Sequence, residues 1–468
     1  MKRIINIVQN NLSWIIWGVA TFILSWFIVE NAQWLIGDDA IIIKKTGSGI
    51  PFSIFDTINP ESGRFYPLAY YAYNILLIFN KTAISVQQHY ILVSIAFFVF
   101  SFFLFRLSRE VTYRFSNNKI LSDVIALLFT FMILQRSYVT FSHLFTTIWI
   151  DYLLLMIFIY YVYKFLYTNK NIYAIIAFAA ILYCIFCIET IFIIPASVGT
   201  LLLIAGLTRK SRNETVFGAS LLLLAITYLI IYYFVVYRFT VNAYDGSHGA
   251  ERTLIQNAMD MLLNQKLVIV SLLILPVRLY MVLVKKDSYE VLFDTLLLTG
   301  LAFAFGSFVL GLNWGMYYMI SVLFVGFPIL YFTIKYLKIK YVLLIVGLLS
   351  IFYIRNYPKN IQTVQTNRLE TKSLIDQLSD YYNQDYTFVW RDEVLVDQNW
   401  DKVMSEFKYE SLTTLLRHEF NQEDFRFNTQ AEKAKSLHFY PDEYRKILWD
   451  NNSKILTEKS GVIIVVND

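Results

Sequence analysis

Two adjacent carboxylates, Asp38 and Asp39, fall where the first long apolar run of the chain gives way to a polar insertion, Trp34 to Leu68. A carboxylate at the end of a membrane helix can act as a general base toward a hydroxyl when its packing and neighbours suit the task. Adjacent acids alone would do no more than mark a solvated helix end. The same insertion, however, supplies Gly47, Gly49 and Pro51 for tight turns, and Lys44, Lys45 and Arg64 as cations. Arg64 lies in a Gly63-Arg-Phe-Tyr-Pro67 stretch just before the next apolar segment. A guanidinium can hold two phosphate oxygens at once. Base and cation in one loop therefore suit a hydroxyl attacking a substrate whose leaving group is a phosphate.

A second layer of charge sits at segment ends or inside apolar runs. Asp151 and Glu189 are ionisable groups at membrane depth or at a short turn, where charge is costly and faces a cavity or a partner. They are candidates for acceptor binding; a helix–helix ion pair of Asp151 with Arg136 is the structural alternative. His143, in the short loop after Arg136, could touch a substrate phosphate or simply pack. Arg136 and Arg238 are reserve cations for a leaving phosphate. Asp245, His248, Glu251 and Arg252 share a loop with Gly246 and Gly249, which reads as a solvated turn or lid rather than a metal site. Cys184 and Cys187 stand in an apolar run without the polar surroundings or further ligands of a redox or zinc site, and read as packing residues.

The elements that must position these residues are membrane helices. The 468-residue chain is 57% hydrophobic and 16% charged, with a mean hydropathy of +0.50. Those values exclude an ordinary soluble domain. Its apolar runs are long enough to cross a hydrocarbon core of about 30 Å as helices, which also excludes an outer-membrane barrel. Twelve segments qualify: 11–29, 67–80, 91–107, 120–136, 145–166, 172–188, 191–207, 216–237, 267–284, 291–310, 316–334 and 340–355. The short, Tyr-rich 67–80 is demoted to an interfacial helix or the start of the next span, leaving about eleven crossings. Every second connection is basic (Arg106 to Lys119, Lys164 and Lys170, Arg209 to Arg212, Lys285 and Lys286, Lys335 to Lys340), which puts the N-terminus inside by the positive-inside bias. A first external loop of about 30–66 and an extracytoplasmic C-terminal segment follow from that alternation.

Residues 356–468 contain no span-length run. An amphipathic helical pattern at 363–381, a β-like Tyr386–Trp390 and a closing Gly461-Val-Ile-Ile-Val-Val predict a small α/β domain after a membrane domain of residues 1–355. No basic stripe or motif points to nucleic acid.

The Gly37-Asp38-Asp39 and Gly63-Arg-Phe-Tyr-Pro-Leu68 segments resemble the first loop of the C-type glycosyltransferase superfamily of bacterial membrane enzymes (GT-C). The likeness covers the organisation of the whole chain, but its motifs are confined to about 35 residues. It implies an acidic base in the first external loop, here Asp38 or Asp39, and a polyprenyl-phosphate sugar as donor. The acceptor would be a cell-envelope glycan, lipid or protein, with inversion at the anomeric carbon. Developing charge on the leaving phosphate would be met by Arg64, with Arg136 or Arg238 in reserve. No cofactor is required, although paired aspartates could hold Mg²⁺ or Mn²⁺. The setting implied is the bacterial cytoplasmic membrane. The chain lacks a Trp-Trp-Asp-Tyr-Gly-like motif, which disfavours the oligosaccharyltransferases. An O-antigen or capsule polymerase is the enzymatic alternative, and a transporter or lipid flippase the alternative from another class. Few glycines and prolines, and no internal repeat, weigh against the last.

Overall fold

The computed structural model describes residues 2–468 except 36–38, 81, 116–117, 145–146, 241–258, 260–264, 310–314, 380–385, 391–413, 420–452, 460–461 and 468. Among the described residues ten helices are long and apolar enough to cross a membrane, and Asn171–Cys184, at the expected span 172–188, is a shorter apolar one. The chain is a polytopic helical membrane protein. In order, the helices are α1 (Lys2–Val29), α2 (Asp39–Lys44), α3 (Asn74–Phe79), α4 (Val86–Tyr113), α5 (Lys119–Phe141), α6 (Ile148–Thr168) and α7 (Asn171–Cys184). They continue as α8 (Ile193–Arg209), α9 (Arg212–Val235), α10 (Lys266–Leu283), α11 (Val291–Val309), α12 (Gly315–Tyr336), α13 (Ile339–Ile354) and α14 (Tyr357–Leu378). The segment 67–80 is no span: it folds as turns, a 3-10 turn at Tyr71–Tyr73 and the six-residue α3. Its demotion is therefore upheld, and α4 starts separately, where Ser85 and Gln88 form a capping box.

The basic connections gather at one end of the bundle, where they are tied to acids and carbonyls. Lys164 on α6 donates to both oxygens of Glu110 on α4 at 2.7 and 2.6 Å. Arg209 reaches the Tyr289 carbonyl at 2.7 Å. Arg278 on α10, 3% exposed, forks onto both oxygens of Asp294 on α11 at 2.7 and 2.8 Å. It also meets Asp287 at 2.7 Å and the Tyr336 hydroxyl of α12 at 2.8 Å, and Lys335 joins Asp287 at 2.9 Å. Burial works against the ionised form of Asp287, but hydrogen bonds from Lys335 and Tyr336 and the charges of Lys335 and Arg278 outweigh it and bring its pKa to about 2. Because the folded value is depressed, this stabilisation is complete above an unfolded value of about 3.9 and is lost as pH falls toward 2. Asp294→Ala, which takes the two-oxygen partner from a buried Arg278 and leaves it Asp287, is expected to cost about 1.5–3 kcal/mol. Thermal unfolding in detergent, compared with an exposed Asp→Ala control, measures it.

Elsewhere the bundle is held by close backbone approach. A Cβ on Gly199 of α8 would lie 2.6 Å from the Leu222 nitrogen and 2.8 Å from the Gly218 carbonyl of α9, and one on Gly218 would lie 2.5 Å from the Leu203 nitrogen. Without a hydrophobic drive between lipid-bathed helices, such contact supplies the packing energy. Gly218→Val is expected to force α8 and α9 apart at a cost of about 1–3 kcal/mol or more, read as a lower unfolding temperature and loss of the monodisperse peak.

Beyond α13 the chain stays on the bundle. Ser350 of α13 donates to the Leu128 carbonyl of α5 at 3.2 Å. On α14, Tyr357 donates to the Phe131 carbonyl at 2.9 Å and Asn360 to the Gln135 carbonyl at 3.2 Å. The partners on α5 advance with the donors, so α13 and α14 run along α5 toward its C-terminal end. The predicted helix at 363–381 thus begins earlier, at Tyr357. Strands β3 (Tyr386–Trp390), β4 (Ser453–Lys459) and β5 (Val462–Asn467) form an antiparallel sheet in the order β3-β5-β4. Tyr386 pairs with Val466 and Ser453 with Asn467. Both predicted strands are there, with β4 added between them in sequence. Most of residues 380–452, and with them the C-terminal domain as a unit, lie outside the described residues.

Candidate functional site

The end of the bundle opposite the basic connections carries the polar insertion. Asp39 opens α2 and is fully buried, its Oδ2 accepting the Leu35 N–H at 2.8 Å. Asp38 lies outside the described residues. Next comes a 3-10 turn, Thr46–Ser48, closed by Gly49 in the left-handed region with φ 77°. A Cβ at Gly49 would lie 3.2 Å from the backbone of Thr82 and Ala83. The turn role expected of this glycine is therefore real, and its φ favours a residue without a side chain. Lys45 pairs with Asp56 at 2.9 Å. Burial would raise the Asp56 pKa, but Lys45 and the Ser53 N–H outweigh it and hold the carboxyl below its usual range.

Aromatic and imidazole groups enclose this part of the loop. His89 on α4 is buried, with Nε2 2.7 Å from the Thr46 hydroxyl and Nδ1 2.9 Å from the Ser85 carbonyl. Trp34 and Tyr73 pack on its ring at 5.1 and 5.3 Å. The Tyr73 hydroxyl donates to the Leu144 carbonyl at 2.7 Å and accepts from Trp149 Nε1 at 3.1 Å. Burial, reinforced by the charge of Asp39, holds the Tyr73 phenol well above its ordinary pKa despite the Trp149 hydrogen bond, so it stays a donor. Segment 414–419 returns to this cluster. Leu415 and Leu416 are fully buried, and His418 meets Trp34 edge-on at 5.9 Å.

The cation at the centre is one that sequence reasoning missed. Arg368 of α14 is 1% exposed and stacks on the Tyr90 ring at 4.2 Å. Its Nη1 donates to the carbonyls of Ile28 and Glu30 at 3.0 and 2.8 Å, and its Nη2 to that of Ser142 at 2.9 Å. These carbonyls belong to the C-terminal ends of α1 and α5, where helices leave acceptors unpaired and favour positive charge. Tyr90 feels the charges of both Arg368 and Asp39. Nothing in the local sequence marks Arg368, which sits in an amphipathic helix like any solvated arginine; only the long-range packing selects it. His143, half-buried beside it, bonds through Nδ1 to the Val139 carbonyl at 2.7 Å. Burial holds its imidazole below the usual range, helped by the Arg368 charge and opposed by the Val139 contact.

The residues chosen from sequence do not all meet. Arg64 is on β2 (Arg64–Phe65), which pairs with β1 (Ile58–Asn59) as a small hairpin. Arg64 stacks over Tyr66 at 5.5 Å and lies 3.9 Å from Glu189, which also accepts the Phe65 N–H at 3.0 Å. Glu189 therefore tethers the hairpin to the turn between α7 and α8. The 14-residue α7 rises only about 21 Å, short of a ~30 Å core. The insertion fills the space above it: Leu68 N–H reaches the Phe186 carbonyl at 3.0 Å and Tyr183 donates to the Leu68 carbonyl at 3.2 Å. Arg136 bonds Gln265 at 2.9 Å, and Arg238 is exposed beside Phe234.

Asp151 is fully buried in the first turn of α6, and its Oδ1 accepts the Cys184 thiol at 3.0 Å. The alternative of an Asp151–Arg136 ion pair does not hold: the partner of Asp151 is Cys184, and Arg136 bonds Gln265. The two cysteines are free and buried, as packing residues should be. Among the described residues no cluster of three or more His, Cys, Asp or Glu could hold a metal ion. The loop of Asp245, His248, Glu251 and Arg252 lies outside them. Compared with known families and curated proteins, the chain matches no family model and no curated protein.

Proposed function

We propose that the protein is a membrane glycosyltransferase moving a sugar from a polyprenyl-phosphate donor to a cell-envelope acceptor at the end of the bundle that carries the Trp34–Leu68 insertion. That end would face outward from the bacterial cytoplasmic membrane, with the basic connections and the N-terminus inside. The observation that carries the proposal is the built environment of Asp39. A carboxylate with no exposed surface is oriented by a backbone N–H and lies close enough to Tyr73 and Tyr90 for both to feel its charge, within an insertion tethered to the bundle through Glu189. Rigid orientation of this kind is what a general base needs.

In the reaction, the acceptor oxygen bonds to the anomeric carbon as Asp39 or Asp38 takes its proton. The bond from that carbon to the phosphate oxygen breaks, and the electron pair leaves with the polyprenyl phosphate. Arg64, at the hairpin, is the cation proposed to meet that charge. Full burial of Asp39 requires that the incoming acceptor open the wall around it. The test is transfer from a panel of radiolabelled polyprenyl-phosphate sugars to membrane acceptors. Transfer by wild type supports the proposal; no transfer from any sugar by folded protein would overturn it and favour a polymerase or a transporter.

A further inference from the structure

At the basic end, far from the insertion, α1 and α4 leave a cleft of about 510 Å³ lined by Trp14, Phe102, Arg106, Arg109, Glu110 and Tyr113. Its charges do not balance. Arg109 is matched by Asp123, which it meets at 2.7 Å while its guanidinium stacks on Trp14 and Tyr113. Asp123 is also bonded by the Tyr113 hydroxyl. Glu110 is matched by Lys164, which grips both its oxygens. Arg106 is left with a share of that same Glu110, through Nε alone at 3.4 Å, and with the ring faces of Phe102 and Tyr160. Three cations therefore face two acids, and the surplus one, Arg106, is 44% exposed along its side chain. Elsewhere on α1 the outer face is apolar, with Leu12, Ile15, Ile16 and Val19 45–56% exposed. In a bilayer that face is covered by acyl chains.

We infer that this cleft binds an anionic glycerophospholipid of the surrounding bilayer, its headgroup phosphate on Arg106 and one acyl chain along Trp14 and Phe102. A guanidinium with unused N–H groups takes a phosphate through two oxygens. Basic clefts between membrane helices at the positively charged end suit such headgroups. The apolar wall of Trp14 and Phe102 selects a lipid over a free phosphate.

Delipidated full-length protein is titrated with dioleoyl-phosphatidylglycerol, dioleoyl-phosphatidylcholine or glycerol-3-phosphate, and bound adducts are counted by native mass spectrometry. Wild type should retain phosphatidylglycerol, and Arg106→Gln should bind it about five- to tenfold more weakly. Phe102→Ala should also lose affinity. Lys170→Gln, which removes an exposed cation at the same end, should bind like wild type. Unfolding temperatures of the variants guard against misfolding. Equal binding of phosphatidylcholine, equal retention by Arg106→Gln and wild type, or binding of glycerol-3-phosphate as tight as that of the lipid would each overturn the assignment.

Discussion

Replacing Asp39 by Asn is expected to abolish sugar transfer while leaving the protein folded. The substitution is nearly isosteric, and the amide oxygen can still accept the Leu35 N–H that Asp39 accepts at 2.8 Å. What disappears is the negative charge and the capacity to take a proton. General-base catalysis contributes about 10²- to 10⁴-fold, so a loss of that size at unchanged unfolding temperature reports chemistry rather than scaffolding. Asp39→Ala removes the acceptor as well and should lower the unfolding temperature in addition. Asp38→Asn, made in parallel, divides the pair: the member whose Asn variant loses activity is the base. If both Asn variants transfer at the wild-type rate, neither aspartate takes the proton and the proposed mechanism fails. Initial rates with saturating donor, at matched expression, provide the measurement.

The second large effect is expected from Arg368→Leu. Three carbonyls at the ends of α1 and α5 lose a charged donor while remaining buried. Unpaired buried acceptors cost about 1–3 kcal/mol each and are not additive, so a loss on the order of 3–5 kcal/mol is expected. Arg368→Lys should recover part of it, since one ammonium cannot reproduce the planar fork that serves both helix ends. Hydrogen exchange should show α14 and the first residues of the insertion losing protection together. Retained protection and an unchanged unfolding temperature in the Leu variant would mean that α14 is held by Tyr357 and Asn360 alone.

Much of the architecture was legible because lipid enforces it. Apolar runs located the long apolar helices among the described residues, and the demotion of 67–80 followed from its length and Pro67, but the expected span 172–188 is the shorter 14-residue α7. The insertion was legible as a candidate site because Asp39, Gly49 and Arg64 are residue types whose chemistry is local. Pairings were not legible. Asp151 with Cys184, Glu189 with the Phe65 N–H, and Asp294 with Arg278 depend on which helices become neighbours, and composition does not encode that. His89 and Arg368 were missed for the same reason. Each looks ordinary among its sequence neighbours, and each gains a partner from a segment more than forty residues away.

The reach of Arg368 has a consequence for biogenesis. It joins residues 340 positions apart, capping the end of the first span with a side chain from the middle of α14. Chains emerge and insert N-terminal end first. During synthesis, the carbonyls of Ile28 and Glu30 and the loop they launch must wait for more than three-quarters of the polypeptide before their partner exists. The helices can be threaded into the membrane one after another, but the pocket around Asp39 is sealed last. A nascent or truncated chain ending before α14 would be fully inserted and still lack the clamp, which ties completion of the site to completion of translation.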